Sequence, residues 1–266
     1  MTKDLKGKVA LVTGGNRGIG RGIAIELAQR GCDLMLTARN RDALSAVASE
    51  VEALGAGCAI HAADLTASSE PAALLAALEA RHGRLDILVN NAGAAGRGSF
   101  FTLTDQQWAD GFELKFFAHV RLTRAAWPLL KRARGSVVAI SGIGARAPAP
   151  DYMIGAAVIG ASLAFMKALA DIGKHDGVQV NSVNPGSVQT DRFRGRLDII
   201  KQRTGLDEAA AIEHHRRELD ITRFGTPADV AALVAFIVSE RGRWIHGAAV
   251  DIDGGQVDPL RMSRYD

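Results

Sequence analysis

Short runs of apolar residues rich in valine, isoleucine and leucine alternate along this chain with longer segments in which apolar positions recur every three or four residues. The short runs predict buried β-strands, and the longer segments predict amphipathic helices. Strands are predicted at residues 8–14, 33–38, 58–64, 86–93, 136–142, 178–186 and 248–255. Helices are predicted at residues 18–30, 41–54, 70–82, 105–132, 152–173 and 227–239. This alternation predicts an α/β fold, a doubly wound parallel sheet of about seven strands with helices on both faces.

The 266 residues contain no linker, internal repeat or low-complexity tract, so we expect one domain spanning residues 1–266. One excursion interrupts the alternation at about residues 191–222, where the chain is polar and charged between a predicted strand and the last long helix. Ligands of such folds bind beside the carboxyl ends of the strands, and this excursion begins there. We therefore expect it to form a substrate lid.

Charge and composition disfavour several classes of protein. Lysine and arginine number 32 against 29 acidic residues, and this small, evenly spread net charge of +3 does not favour nucleic acid as a partner. A DNA-binding regulator is further disfavoured because no helix-turn-helix or clustered basic surface is recognisable. No segment has about 18 uninterrupted apolar residues, so no membrane span is expected. The two cysteines, Cys32 and Cys58, lack metal-binding or redox spacing, which indicates no metal site and a reducing, cytoplasmic location.

A glycine-rich turn joins the first predicted strand to the first predicted helix, with the sequence TGGNRGIG at residues 13–20. Gly14, Gly18 and Gly20 would let the backbone turn sharply, approach a pyrophosphate and pack the helix against the sheet. The helix N-terminus adds unpaired N–H groups that attract phosphate. An ordinary strand–helix connection can also be rich in glycine, but the complete strand–turn–helix–strand context favours a dinucleotide site.

Four motifs, in this order and at this approximate spacing, resemble those of the short-chain dehydrogenases/reductases. They are TGGNRGIG at 13–20, NNAG at 90–93, Tyr152 at a helix start and NPGSVQTD at 184–191. The resemblance runs from about Leu5 to Gly255, which is almost the whole chain. It implies a single-domain Rossmann-type fold, usually a homotetramer, that transfers hydride between a nicotinamide cofactor and an alcohol or ketone.

By the same resemblance, several loops at one edge of the sheet would hold the dinucleotide. The expected cofactor-binding residues are Gly14, Asn16, Arg17, Gly18, Ile19, Gly20, Arg39, Asp64, Leu65, Asn91, Ala92, Gly93, Pro185, Gly186, Val188 and Thr190. Of these, Asp64 and Leu65 would flank the adenine, whereas Val188 and Thr190 would lie against the nicotinamide carboxamide.

Residues near the end of the second strand indicate which nicotinamide cofactor is preferred. NAD-binding members of the family usually carry an acid at this strand end, which accepts hydrogen bonds from the adenosine ribose. Ala38 stands there instead and is followed by Arg39, while Arg17 in the glycine-rich turn can reach the same place. Guanidinium groups pair strongly with phosphate, so the sequence predicts NADP(H) over NAD(H). The alternative is that both arginines are simply solvated.

The family's catalytic tyrosine exchanges a proton with the substrate oxygen, and a lysine four residues later lowers its pKa and holds the nicotinamide ribose. Tyr152 matches the tyrosine, and the only other tyrosine, Tyr265, lies in the C-terminal tail. The lysine position is occupied by Ala156, and Lys167 would lie about 22 Å further along a helix. A free phenol has a pKa of about 10, so catalysis near neutral pH needs roughly 4 kcal/mol of stabilisation from another cation.

The predicted helix at 105–132 offers such a cation. Lys115 lies within a stripe of positions spaced by three and four residues, whose other members are Trp108, Gly111, Phe112, Ala118, Leu122 and Ala126. Counting from the tryptophan also places Lys115 where the family has an asparagine of its proton relay. An unpartnered ammonium on an apolar stripe is costly, so its retention favours a functional role. Alternatively, Lys115 extends past the stripe to solvent or pairs with a carboxylate.

A serine that polarises the substrate oxygen is the family's third catalytic residue. Ser141 lies near the expected place, but only eleven residues before Tyr152, and counting from the fifth strand allows Gly142 instead. We take Tyr152, Lys115 and Ser141 as the predicted catalytic residues. His119, one turn beyond Lys115, could also face the site, although a single histidine on a helix is more often structural.

Two functional hypotheses follow. The first is an NADP-dependent oxidoreductase for a small-molecule ketone or secondary alcohol, forming a homotetramer or homodimer, in which Lys115 assists Tyr152 as acid and base. The second is a catalytically impaired nucleotide-binding protein of the same fold that acts as a sensor or partner subunit. The arginines and histidines of residues 191–222 suit an anionic substrate or a carrier-bound acyl group, but equally a solvated lid.

Overall fold

A computed structural model describes residues 3–257, so Tyr265 lies outside the described residues. The described chain contains one parallel sheet with the strand order β3-β2-β1-β4-β5-β6-β7. The strands are Val9–Thr13 (β1), Asp33–Ala38 (β2), Cys58–Ala62 (β3), Ile87–Asn90 (β4), Ser136–Ile140 (β5), Gln179–Pro185 (β6) and Ala249–Ile252 (β7). The predicted doubly wound α/β fold is confirmed, and each observed strand lies within its predicted range.

Helices cover both faces of this sheet. They are Gly18–Gln29 (α1), Arg41–Ala53 (α2), Glu70–His82 (α3), Asp105–Phe112 (α4), Ala118–Ala133 (α5), Met153–Asp176 (α6), Asp191–Thr204 (α7), Glu208–Glu218 (α8) and Pro227–Ile237 (α9). Successive residues of a strand point to opposite faces, so Ala10 and Val12 pack in a core with α1, α2 and α9. Leu11, between them, packs in a second core with α3, α5 and α6.

The strand order reverses at β1, which pairs with β2 on one side and with β4 on the other. The loops after β1 and β4 therefore leave the sheet in opposite directions and open a crevice between them. In doubly wound sheets this crevice is the usual ligand site. The residues that begin it are Thr13 at the end of β1 and Asn90 at the end of β4.

The helix predicted at 105–132 is divided into α4 and α5 by a π-helical turn, Glu113–Phe117. A π turn inserts an additional residue into a helix and is frequent at functional sites. Within this turn Lys115 is the buried residue, whereas Phe117 is exposed. Sequence periodicity alone places Lys115 on the apolar stripe but does not reveal the turn that directs it inward.

Residues 191–222 form the helices α7 and α8, which the sequence did not predict. Their shared apolar cluster is small and consists of Leu197, Ile200 and Ala211. Phe193 extends this contact by packing its ring 4.5 Å from that of Phe224. The helices were missed because charged residues interrupt their apolar periodicity. Their function as a substrate lid stays a prediction.

Helix α6 is long and apolar enough to cross a bilayer, judged by length and composition alone. In this fold, however, it packs against the sheet, where Met166 and Ala170 join the core beneath β5 and β6. This burial accounts for the apolar residues on the face of α6 toward the sheet, whereas Ile172 on the same helix is exposed.

Candidate active site

The glycine-rich turn after β1 is built for close backbone packing. A Cβ at Gly20 would lie 2.1 Å from the carbonyl oxygen of Gly14, so no side chain fits there. Gly14 and Gly18 have φ values of +64° and +53°, which other residues rarely adopt. The turn leads directly into α1, whose first residues present unpaired N–H groups at the helix N-terminus. This cradle fits the pyrophosphate of a dinucleotide.

Thr13 ties this turn to the loop that follows β4. Its hydroxyl oxygen accepts hydrogen bonds from the backbone N–H groups of Asn91, at 2.9 Å, and Ala92, at 2.8 Å. The Asn91 side chain donates in return to the carbonyl oxygen of Thr13, at 2.9 Å. The expected cofactor residues at 91–93 therefore lie beside the glycine-rich turn and are held there by a part-buried hydrogen-bond network.

The loop after β6 closes a third side of the crevice. Pro185 ends β6, and a Cβ at Gly186 would lie 2.7 Å from the Cβ of Asp253, so this segment is closely packed. Thr190 precedes α7, and a Cβ at Gly18 would meet its methyl group at 3.4 Å. The structure thus brings the expected cofactor residues of this loop next to those of the glycine-rich turn. Val188, also in this loop, is buried and pairs with Gly225.

At the opposite end of the crevice, β2 ends at Ala38 and Arg39 is exposed immediately after it. The strand end therefore carries no acid. Asp64, expected beside the adenine, accepts hydrogen bonds from the backbone N–H and the hydroxyl of Thr66, which lower its pKa. Arg17 pairs with Asp191 across 3.4 Å at the surface, so it would have to leave this exposed pair to reach a phosphate near Arg39.

Lys115 is one of the few buried charged groups, with 7% of its surface exposed. Its Nζ donates a hydrogen bond to the backbone carbonyl oxygen of Ser141, at 2.8 Å. The aliphatic part of its side chain packs against Gly93, where a Cβ would lie 2.9 Å from the lysine Cγ. Burial, and secondarily the charge of Arg192, lower the pKa of Lys115 to about 8. Among the described residues, Lys115 therefore neither extends to solvent nor pairs with a carboxylate.

Tyr152 lies at the start of α6, with its ring against the turn that follows β5. A Cβ at Gly144 in that turn would be 3.3 Å from ring carbon Cε1 of Tyr152. On the same helix, a Cβ at Gly155 would be 2.0 Å from the ring carbon Cζ. The tyrosine ring therefore occupies the space that any side chain at position 155 would need.

The residues Lys115 and Tyr152 approach the same short turn, 141–144, from two helices. The ammonium of Lys115 donates to the backbone carbonyl of Ser141, the first residue of this turn, and the ring of Tyr152 packs against Gly144. The helices themselves touch here, because a Cβ at Gly111 would be only 2.3 Å from Cγ2 of Ile154. Within the described chain, the ammonium of Lys115 bonds to the Ser141 carbonyl and not to the hydroxyl of Tyr152. Lys167, by contrast, bonds to Gly247.

The two alternatives for the serine differ in their backbone conformation. Ser141 is buried, and within the described residues its hydroxyl oxygen has no hydrogen-bond partner. A buried hydroxyl without a partner is costly and is available to a ligand. Gly142 has a φ of +119°, which strains any residue other than glycine. The geometry thus favours Ser141 over position 142 as the place for a hydroxyl.

His119 is fully inside the protein, and its Nε2 lies 2.6 Å from the carbonyl oxygen of Ala92. Burial lowers the pKa of this imidazole to about 4, so the ring is neutral at physiological pH. A neutral ring protonated on Nε2 donates to that carbonyl and holds the 91–93 loop. This contact supports the structural interpretation of His119.

Two arginines that sequence analysis did not assign to catalysis also reach the site. The guanidinium carbon of Arg97 lies 4.5 Å from the centre of the Tyr152 ring, and the same side chain pairs with Asp151 at 2.8 Å. Arg192 in α7 donates from Nη2 to the carbonyl oxygen of Gly93, at 2.8 Å. No local motif signals either contact, because each joins segments far apart in sequence.

Comparisons with known proteins agree with this architecture. The family model described as Enoyl-(Acyl carrier protein) reductase matches residues 14–256. The chain is 35% identical to a short-chain dehydrogenase/reductase, FrzI, of Cladobotryum sp., over 94% of this chain and 96% of that protein.

Solved structures of reductases and dehydrogenases have the same fold. L-sorbose reductase from Gluconobacter frateurii, complexed with NADPH and L-sorbose, superposes with a TM-score of 0.93 at 30% identity, covering 98% of this chain and 100% of that one. A 7α-hydroxysteroid dehydrogenase complexed with NADH superposes with a TM-score of 0.87 at 27% identity, covering 98% and 99%. The glycine-rich turn, the sheet order and these similarities converge on one conclusion: the chain belongs to the short-chain dehydrogenase/reductase family, whose oxidoreductases act on carbonyl and alcohol groups.

Proposed function

We propose that this protein is an NADP-dependent oxidoreductase that interconverts a ketone and a secondary alcohol, with Tyr152 as acid and base and Lys115 as the assisting cation. The observation that carries the proposal is the buried ammonium of Lys115, which bonds to Ser141 and packs on Gly93. A buried cation that titrates near neutral pH is typical of a functional site.

The cofactor would be held by the cradle of the glycine-rich turn and by the 91–93 loop, with Arg39 beside the adenosine ribose. Bound there, the nicotinamide supplies or accepts the hydride. An exposed arginine after a strand that ends in Ala38 suits a 2′-phosphate, which an acid would repel. Of the two solved relatives described above, one holds NADPH and the other NADH, so the preference for NADP rests on Arg39.

The side chains of the protein would transfer the proton to and from the substrate oxygen. In the reductive direction, the phenol of Tyr152 gives a proton to the substrate oxygen as hydride arrives at the carbonyl carbon. A neighbouring ammonium favours the phenolate that remains, and Lys115 can exchange a proton because its pKa is about 8. The hydroxyl of Ser141 would donate to the same substrate oxygen, which gives this buried group the partner that it otherwise lacks.

The test compares Lys115→Met and Tyr152→Phe with the unaltered protein in NADPH oxidation against a panel of ketones. Each variant should bind NADPH within a few-fold of the unaltered protein and lose most turnover. Lys167→Met is the matched control, because Lys167 lies on the surface of α6 and its ammonium bonds to the carbonyl of Gly247. If Lys115→Met turned over substrate at the unaltered rate with the same pH dependence, the role given to Lys115 would be wrong.

A second candidate function is a nucleotide-binding sensor or partner subunit without turnover. It is favoured by one observation, that the Lys115 ammonium bonds to a backbone carbonyl and not to the Tyr152 hydroxyl. Tight NADPH binding without NADPH oxidation, whether ketones or quinones are offered, would support this candidate and contradict the first.

We also propose a cytoplasmic homotetramer. Helices α5 and α6 would form the contact between subunits, because the π turn before α5 exposes Phe117 and α6 exposes Ile172. The thiols of Cys32 and Cys58 are free, which fits a reducing compartment. Light scattering at micromolar concentration tests the assembly, and a monomer would contradict it.

A further inference from the structure

Arg192 reaches from the first turn of α7 to the loop that follows β4. Its Nη2 donates to the carbonyl oxygen of Gly93 at 2.8 Å, a contact between residues 99 positions apart. The preceding residue, Asp191, pairs with Arg17 at 3.4 Å and lies 4.0 Å from Arg194. Within the described residues, the guanidinium of Arg192 makes no ion pair, so most of its donors are free for a ligand.

A second cation lies against the same glycine. Lys115 packs its stem on Gly93, and the charge of Arg192 is one of the two causes that lower the pKa of Lys115. Arg192 and Lys115 therefore come from α7 and from the π turn to meet beside one loop. Lys115 is buried whereas Arg192 is exposed. The repulsion between these like charges falls on the buried ammonium, and an anion bound by Arg192 would relieve it.

No carboxylate in the described part of the chain supplies that anion, because each nearby acid is engaged elsewhere. Asp151 pairs with Arg97, Asp191 with Arg17, and Glu113 with Arg121. The imidazole of His119 is held neutral by burial, and its partner is a backbone carbonyl. The site is therefore electropositive on the side that faces α7.

We propose that Arg192 binds a carboxylate of the substrate, and that the substrate is a carbonyl compound carrying this carboxylate a short distance from its reacting carbon. The inference rests on the proposed function and adds the class of substrate to it. The parallel N–H donors of a guanidinium match the two oxygens of a carboxylate. When Arg192 donates to a charged carboxylate in place of the neutral Gly93 carbonyl, its hydrogen bond becomes stronger. The hydroxyls of Tyr152 and Ser141, with Lys115 as the assisting cation, would then act on the carbonyl oxygen of the substrate.

A cofactor phosphate is the competing acceptor for Arg192. The phosphates of a dinucleotide are served by the N–H groups of the glycine-rich turn at the N-terminus of α1. Arg192 instead bonds the carbonyl of Gly93, the same residue on which Lys115, the proposed assisting cation, packs. The observations therefore favour the substrate, and the cofactor becomes an outcome that the experiment can detect.

The experiment measures binding by titration calorimetry with NADP⁺-saturated protein. The probes are acetoacetate and its methyl ester, which share the ketone and differ in charge. Acetoacetate should bind the unaltered protein about tenfold or more tightly than the ester. Arg192→Gln should remove this difference and leave binding of the ester unchanged. Arg194→Gln is the matched control on the same helix, since its guanidinium is 82% exposed and lies 4.0 Å from Asp191, and it should bind both probes as the unaltered protein does.

Several results would overturn the proposal. Equal affinity for the two probes, or no saturable acetoacetate binding, would show that the carboxylate is not recognised. An equal loss in Arg194→Gln would reduce the effect to general charge. Weaker NADP⁺ binding in Arg192→Gln, with acetoacetate binding retained, would assign Arg192 to the cofactor. Because the readout is binding, charge-selective binding without NADPH oxidation would leave this inference standing and contradict only the proposed turnover.

Discussion

The ring of Tyr152 lies directly above the backbone of Gly155, and a Cβ at position 155 would fall 2.0 Å from its Cζ and 2.4 Å from both Cε atoms. The glycine is thus what permits the tyrosine to fold back along its own helix. The guanidinium carbon of Arg97 lies over the same ring, 4.5 Å from its centre. Arg97 and the Gly155 backbone together confine the phenol, so the position of Tyr152 depends on the absence of a side chain three residues later.

Gly155→Ala should displace the Tyr152 ring and lower turnover by on the order of 100-fold, because a misplaced reacting group loses its orientation. Stability should change little, since alanine gains about 1 kcal/mol in a helix while the ring loses packing. Turnover and thermal unfolding measure the two effects separately. Gly160→Ala, whose Cβ would have its nearest neighbour at 4.0 Å, should keep full activity. Unchanged turnover in Gly155→Ala would contradict the importance of this packing.

Lys115→Met should change how stability depends on pH. The pKa of Lys115 is about 8 in the folded protein, below its ordinary value of 10.5. The unfolded chain therefore binds the ammonium proton of Lys115 more tightly than the folded chain does. Below pH 8 the ammonium is charged in both states, so its burial lowers the free energy of unfolding by the full amount. As the pH rises from 8 towards 10.5 the folded chain loses this charge first, and the destabilisation disappears. Relative to Lys115→Met, the unaltered protein should gain on the order of 3 kcal/mol of unfolding free energy between pH 7.5 and pH 10.5.

Urea unfolding at several pH values measures this difference, because groups shared by both proteins cancel. Lys167→Met is the control, since its ammonium is exposed beside the Gly247 carbonyl. A difference between Lys115→Met and the unaltered protein that stayed constant from pH 7.5 to pH 10.5 would show that the ammonium is not buried as described.

Arg39→Gln should weaken NADPH binding by about 10- to 100-fold, because it removes a charge-assisted hydrogen bond to the 2′-phosphate. NADH lacks this phosphate, so its dissociation constant should change by no more than about twofold. Nicotinamide fluorescence titrations give both dissociation constants. The exposed Arg41 begins α2 two residues later, so Arg41→Gln controls for general charge. Equal affinities of the unaltered protein for NADPH and NADH would remove the basis of the NADP assignment.

Thr13→Val should destabilise the protein by about 2 kcal/mol, because it leaves the part-buried N–H groups of Asn91 and Ala92 without an acceptor. Thr13→Ser keeps the hydroxyl and should lose only about 1 kcal/mol for the missing methyl group. Urea unfolding compares the two variants. If both lost the same free energy, the hydroxyl would not be what holds the 91–93 loop to the glycine-rich turn.

The strands, most helices and the glycine-rich turn were predictable because their causes are local. Apolar periodicity reports which face of an element is buried, and Gly14 and Gly20 mark a backbone path that other residues cannot follow. The same local reasoning found Lys115, since a lysine inside an apolar stripe is visible in the sequence. It did not find α7 and α8, whose charged residues interrupt the apolar repeat.

The sequence by itself therefore determined the alternating architecture, the glycine-rich turn and the set of residues available for chemistry. Tertiary structure decided how those residues meet, because the deciding contacts join segments that are distant along the chain. Lys115 and Ser141 are 26 positions apart, and Arg192 and Gly93 are 99 apart. No periodicity encodes such pairs, since they depend on the π turn, on the order of strands in the sheet and on the packing of α7 across the crevice.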